Sequence, residues 1–184
     1  MELPLSLLDG ERIAVIKTHL SNVAYLEGDI AEVGVYKGGV AYHLNKFSNG
    51  KKVYLFDTFE GMPFKGEYDR HRVGDFGDTS HEEVAELFYD SPNVKIIKGV
   101  FPDSARSIIS RKDKFCFVHL DADQYESTLE GLKFFYDKMV AGGVIVCDDY
   151  GWLKGVDIAI AEFLKDKPEK ENPTVFAQCI IVKQ

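Results

Sequence analysis

VHLDADQYEST, residues 118–128, and GGVIVCDDYGW, residues 142–152, each end an apolar run in paired acids. Val118 and Leu120 read as the buried end of a strand, and Asp121 and Asp123 follow at once. Val144 to Val146 repeat the pattern, with Asp148 and Asp149 after Cys147. Runs this continuously apolar do not face water on one side; they belong to parallel strands with helices over both faces. Similar bursts flank them: DIAEVGV (29–35), KVYLFDTF (52–59), NVKIIKGVF (93–101), KFCFVHLD (114–121) and GVIVCDD (143–149). Stretches of helical period separate these bursts, the alternation that marks an α/β sheet.

The helices expected between them are 38–47, 79–90, 125–140 and 156–166, after an opening helix over about 10–22 that lies across the sheet edge. Ser80 and Glu83 form a capping box at the start of one. Leu129, Leu132, Phe135 and Met139 make the apolar stripe of another. The end, PTVFAQCIIVKQ, reads as one or two closing strands with no helix after them. The 184 residues suit one domain, 1–184, with residues 1–27 as an N-terminal helical cover.

Composition narrows the function classes. Hydrophobic residues are 45% and charged residues 28%, a globular balance. Thirty acids against 22 bases leave a net charge of −8, which repels nucleic acid and anionic membranes. No apolar run approaches the ~20 residues that cross a bilayer, and MELPLSLLDGER lacks the order of a secretory signal. A cytoplasmic location is expected. The three cysteines, Cys116, Cys147 and Cys179, lie in apolar stretches without zinc spacing and read as buried free thiols.

Ligands of an open parallel sheet bind beyond the carboxyl ends of its strands. The loops to watch are therefore 32–39, 57–63, 99–103, 121–125 and 148–152. EVGVYKGG (32–39) places Gly34, Gly38 and Gly39 where the backbone turns from strand to helix, but not at the GxGxxG spacing of a nicotinamide or flavin site. Glu32, in the strand end, would repel a pyrophosphate and suits a cofactor bearing an amine or positive charge. Asp57 ends the second strand, where an acid can accept hydrogen bonds from ribose hydroxyls. The polar segment 65–80 reads as a mobile loop near the cofactor or as a solvated surface loop.

EVGVYKGG, FDTFEGMP, DFGDTS (75–80), GVFPDS (99–104), HLDADQYEST and GGVIVCDDYGW, in that order, resemble the macrocin O-methyltransferase family of class I S-adenosylmethionine-dependent methyltransferases. The resemblance implies a Rossmann-like, seven-stranded, mostly parallel sheet with the last strand antiparallel, and Mg²⁺-dependent methyl transfer to a hydroxyl. By resemblance Asp121, Asp148 and Asp149 are the metal ligands, and a hard cation with oxygen ligands would relieve their mutual repulsion. Glu32, Gly34, Tyr36, Gly38 and Asp57 are expected at the cofactor by motif position, with Val100 and Phe101 flanking the adenine; Phe101 can equally be core.

Asp121 and Asp123 are the expected catalytic acids. Asp123 reads either as support or general base, or as the cap of the helix starting near Tyr125. A metal-bound water is a further candidate base, as is His119 if it turns outward; otherwise His119 is a core residue. Catechol methyltransferases, which share the metal layout, keep a lysine where this chain has Gln124, which departs from them. Tyr125 and Trp152 sit where they could touch an acceptor, a small-molecule hydroxyl on a sugar or glycosylated metabolite. The chain is short beside fuller members of the family, which puts the acceptor and a homodimer among the open expectations. Two alternatives are a nicotinamide-type oxidoreductase, disfavoured by the glycine spacing and Glu32, and a non-catalytic S-adenosylmethionine-binding protein, disfavoured by the retained acids.

Overall fold

A computed structural model of the chain describes residues 4–184, so the first three residues of the expected N-terminal cover lie outside it. Helix α1 (Gly10–Asn22) precedes an alternation of β1 (Asp29–Val33), α2 (Gly39–Lys46), β2 (Val53–Asp57), α3 (His81–Leu87), β3 (Val94–Lys98), α4 (Asp103–Arg106), β4 (Phe115–Leu120), α5 (Tyr125–Tyr136), β5 (Met139–Cys147) and α6 (Lys154–Leu164). The short β6 (Asn172–Pro173) and β7 (Cys179–Val182) close the chain. The strands form one seven-stranded sheet in the order β3-β2-β1-β4-β5-β7-β6. β1 to β5 pair in parallel, and β7 runs antiparallel to both β5 and β6. This is the expected sheet.

Alternating residues of the central strands feed two cores. Ala31, Val33, Val118, Leu120 and Ile145 pack with Leu132 and Phe135 of α5 and Ile160 of α6. Ile30, Phe117, Val144 and Val146 pack with Ile16 and Leu20 of α1 and Leu44 of α2. Helix α1 therefore covers a face of the sheet centre, not its edge, because its Ile16–Leu20 stripe meets residues of β4 and β5. The three cysteines are free and buried, and Cys147 of β5 is the register partner of Cys179 of β7.

Several boundaries differ from the sequence reading. β5 begins at Met139, which pairs with Phe115, so α5 stops at Tyr136 instead of reaching residue 140. Gly142 and Gly143 had suggested a later start; the strand includes them, but the β4–β5 register jumps there, from Phe115–Met139 to Phe117–Val144. The one-turn α4 has no apolar period long enough to detect. β3 is an edge strand with exposed Lys95 and Lys98, so it is not covered on both faces like the other parallel strands. Ser80 does cap α3, its hydroxyl accepting the Glu83 N–H at 3.1 Å.

Candidate functional site

The strand order reverses between β1 and β4, where both chains emerge at the same edge, and a cavity of 670 Å³ opens there. All five loops singled out above contribute to its walls. Loop residues Arg70, His71 and Phe76, the N-terminal segment Leu5–Leu8 and Arg12 also line it. Among the expected cofactor residues, Glu32, Gly34, Tyr36, Asp57, Val100 and Phe101 line the cavity. Gly38 does not: as N-cap of α2 it faces Leu87 and Phe88 around α3, and Gly39 takes the cavity side. Phe101 serves both readings, since it also stacks on Phe135 at 5.5 Å in the core.

The acids are placed by backbone geometry. The β1–β4 ladder runs one step further, with Asp121 N–H donating to the Val33 carbonyl at 2.9 Å, and the β4–β5 ladder does the same with Asp148 N–H and the Leu120 carbonyl at 2.9 Å. Gly34 permits the first of these. Its φ is +87°, and a Cβ there would lie 1.8 Å from the Asp121 carbonyl oxygen. Asp123 and Asp149 both have φ of 58°, the left-handed turn that aspartate tolerates better than most residues.

Ligand-capable atoms of His119, Asp121 and Asp148 lie within 4.8 Å of one another, and so do those of Asp121, Asp123 and Asp149. Asp121 belongs to both sets, while neither set joins Asp148 to Asp149. Between these two acids stands a residue the sequence reading missed. Arg12 Nη1 donates to Asp148 Oδ1 at 3.3 Å and to Asp149 Oδ1 at 3.1 Å, so a guanidinium sits between the two carboxylates. Its signal was visible: Arg12, Ile16 and Leu20 recur every four residues on one helical stripe, and a cation on a buried stripe needs a buried partner.

Asp148 stands behind the cavity wall at 2% exposure, and its Oδ2 accepts no hydrogen bond. His119 Nε2 lies 3.8 Å from it. His119 does not turn outward. It is fully buried, paired in register with Glu32, and its Nδ1 lies 3.0 Å from Glu32 Oε1. Glu32, His119 and Asp148 thus form a row across β1, β4 and the end of β5. Burial opposes a charge on His119, but the Asp148 and Glu32 carboxylates outweigh it and raise its pKa to about 10. Burial raises the Glu32 pKa in turn, and Glu32 Oε2 has no hydrogen-bond partner.

Burial also raises the pKa values of Asp121 and Asp123 well above the carboxylate range, reinforced by the Asp148 charge at Asp121 and the Asp121 charge at Asp123. Five acids, Glu32, Asp121, Asp123, Asp148 and Asp149, share one guanidinium and one imidazole at this end of the cavity. Asp57 behaves differently: Oδ2 accepts the Val35 and Tyr36 N–H groups at 2.7 and 2.8 Å and Oδ1 accepts Phe59 N–H at 2.7 Å. It shapes the β1–α2 turn through these three backbone donors while lining the cavity.

The 65–80 segment is hydrogen-bonded to the rest of the chain at both ends, and its Arg70, His71 and Phe76 reach the cavity. Asp69 accepts Gly66 N–H and Tyr125 N–H, both at 2.8 Å, and so caps α5. Asp123 therefore is not the cap. Gln124, fully buried, donates from Nε2 to the Phe64 carbonyl. The Tyr36 hydroxyl donates to Asp78 at 2.9 Å, which ties down the other end of the segment. Tyr125 is turned away from the cavity, its hydroxyl donating to Glu162 at 2.6 Å. Trp152 lines the cavity, 63% exposed, with the Arg12 guanidinium 5.1 Å from its ring centroid.

A doubly covered sheet with this strand order and a cavity at its switch point defines a Rossmann-like methyltransferase fold. The O-methyltransferase NovP has it at TM-score 0.83 and 25% identity, over 95% of this chain and 80% of that one. Residues 3–175 match the family described as Macrocin-O-methyltransferase (TylF), and the chain belongs to that family. Demethyldecarbamoylnovobiocin O-methyltransferase of Streptomyces niveus is 31% identical over 67% of this chain. The 8-demethyl-8-(2,3-dimethoxy-alpha-L-rhamnosyl)-tetracenomycin-C 4'-O-methyltransferase of Streptomyces olivaceus is 28% identical over the same share. The alignments span 53% of each of these relatives, about half their length.

Proposed function

We propose that the chain, as one domain, transfers a methyl group from S-adenosylmethionine to a hydroxyl of a sugar or other small natural product, assisted by Mg²⁺. The observation that carries this reading is the cavity at the switch point, with glycine-turn residues at one end and excess acids at the other. Family membership and two relatives named as O-methyltransferases, one of them of a rhamnosyl tetracenomycin, support it. The donor set also fits a hard cation: Asp121, Asp123 and Asp149 offer clustered oxygens, and Asp148 Oδ2 is a buried acceptor without a donor. Asp121, Asp149 and either Asp123 or Asp148 would hold the ion. When bound it would supply charge that orients the acceptor and lowers the pKa of its hydroxyl.

The residues of the chain do the rest by placement. Glu32 Oε2, an acceptor without a partner, is suited to the cofactor's ammonium, while Gly34 and Gly39 keep the wall free of side chains. Val100 and Phe101 offer apolar surface for the adenine. In the transfer, the acceptor oxygen forms a bond to the methyl carbon, the carbon–sulfur bond breaks, and its electron pair stays on sulfur. Asp123, which lines the cavity beside Asp121, is placed to take the hydroxyl proton when it is not itself a ligand of the ion. The leaving thioether is neutral, so alignment and proton removal are the main demands on the protein.

The test is incubation with methyl-labelled S-adenosylmethionine, Mg²⁺ and a panel of nucleotide sugars and glycosylated aromatics, followed by product analysis. Label is expected in an acceptor hydroxyl, with loss of turnover in chelator and in Asp121→Asn. If S-adenosylhomocysteine does not bind and no acceptor is labelled, the reading fails.

A further inference from the structure

Arg12 occupies an unusual position for a residue of an opening helix. Its side chain is 9% exposed, and its guanidinium bridges the two acids that end β5. The same group reaches back to the N-terminal segment, with Nη2 donating to the Leu7 carbonyl at 3.4 Å and Asp9 Oδ2 at 3.8 Å from Nε. Nε itself makes no hydrogen bond, and one face of the group lies toward Trp152. The fit is incomplete: a weakly hydrated, planar cation is held at 3.1–3.3 Å by single contacts and not by a paired fork.

A compact divalent ion is a stronger partner for these oxygens than a guanidinium so held, since it carries twice the charge and draws carboxylates to about 2.1 Å. Asp148 and Asp149 cannot both close on such an ion while Nη1 stands between them.

We propose that Arg12 is a displaceable internal counter-ion, holding the Asp148–Asp149 couple until a divalent cation enters the acids and drives the guanidinium off them. This rests on the metal reading above and adds to it a competition for the same oxygens. Because Arg12 also holds Leu7, metal entry is felt in the Leu5–Leu8 wall of the cavity. Because it faces Trp152, metal entry changes the surroundings of that indole.

Trp152 is the chain's one tryptophan, which makes the exchange measurable without turnover. The full chain, freed of metal by chelation, is titrated with Mn²⁺ while free Mn²⁺ is followed by spin resonance and Trp152 by its emission. In the wild type, Mn²⁺ binding is expected to shift the emission. Arg12→Met is expected to bind Mn²⁺ about tenfold tighter, the effect of removing one charged hydrogen-bonding competitor, and to lose the emission response. Arg12→Lys keeps the charge but not the span, and about threefold tighter binding is expected.

Equal or weaker Mn²⁺ binding by the Arg12 variants, or an unchanged emission response in Arg12→Met, overturns the displacement and leaves the metal site standing. No Mn²⁺ bound by any of the three chains overturns both. Should Arg12→Met fail to fold by circular dichroism, the Arg12→Lys affinity decides.

Discussion

At the scale of single residues, the site depends on atoms that do no chemistry. Gly34 is the sharpest case, because a methyl group there would overlap the Asp121 carbonyl and φ is +87°. Gly34→Ala must therefore push β1 and β4 apart where Asp121 leaves the sheet. A loss above about 2 kcal/mol is expected, from left-handed strain and overpacking together, measurable by urea denaturation. Weakened S-adenosylhomocysteine binding should accompany it. The sequence made the acids and glycines visible because chemistry and tight turns each demand particular residue types. It did not reveal that Gly38 faces α3 while Gly39 faces the cavity, since side-by-side glycines carry no mark of direction. Nor did it show the His119 row, because the pairing of Glu32 with His119 exists only once β1 and β4 are in register.

At the scale of elements, anchoring comes from distant chain segments. Helix α5 begins with Gln124 at its N-cap position but takes its cap from Asp69, 2.8 Å from Tyr125 N. Asp69→Ala should cost about 1 kcal/mol, the usual worth of a cap, and loosen the Gly66 turn as well. A fall in melting temperature with faster proteolysis near residues 65–70 would check it. The local pattern predicted α1, α2, α5 and α6 well because their apolar period is their own. A cap borrowed from 56 residues away has no such local trace.

The chain end shows the same logic. Glu169 accepts Tyr136 OH at 2.8 Å, Gln184 N–H at 3.0 Å and Lys183 Nζ at 3.3 Å. Burial works against the charge, yet these donors prevail and hold the pKa down from 4.5 to about 2. A depressed carboxylate pKa stabilises the fold fully above the unfolded value, and the contribution is lost as pH falls from 4.5 toward 2. Glu169→Gln should lower stability at pH 7 by about 1–3 kcal/mol, with the difference from wild type shrinking through that acid window. Chemical denaturation across the pH series reads it.

At the scale of the whole molecule, topology converts separate loops into one cavity. A seven-stranded, mostly parallel sheet with its last strand antiparallel was anticipated from strand patterning and the family resemblance; its order, β3-β2-β1-β4-β5-β7-β6, emerges only from the structure. Nor was the position of α1 anticipated, because an amphipathic helix does not announce which face of a sheet it will cover. Ligands that bind only the assembled cavity should stabilise the whole. S-adenosylhomocysteine at a hundred times its dissociation constant is expected to add about 2.7 kcal/mol. For a chain of this size that raises the melting temperature by about 5–11 °C. A shift for S-adenosylhomocysteine and none for NAD is the expected thermal result.

The three free thiols have a use of their own. Cys116, Cys147 and Cys179 lie on β4, β5 and β7, all shielded from solvent at the middle of the sheet. A thiol reagent can reach them only when those strands part, so labelling speed clocks the opening of the molecule's centre. In native buffer the three should react slowly and together, in step with global unfolding. Cys179 reacting ahead of the others would show that the β6–β7 hairpin peels away first.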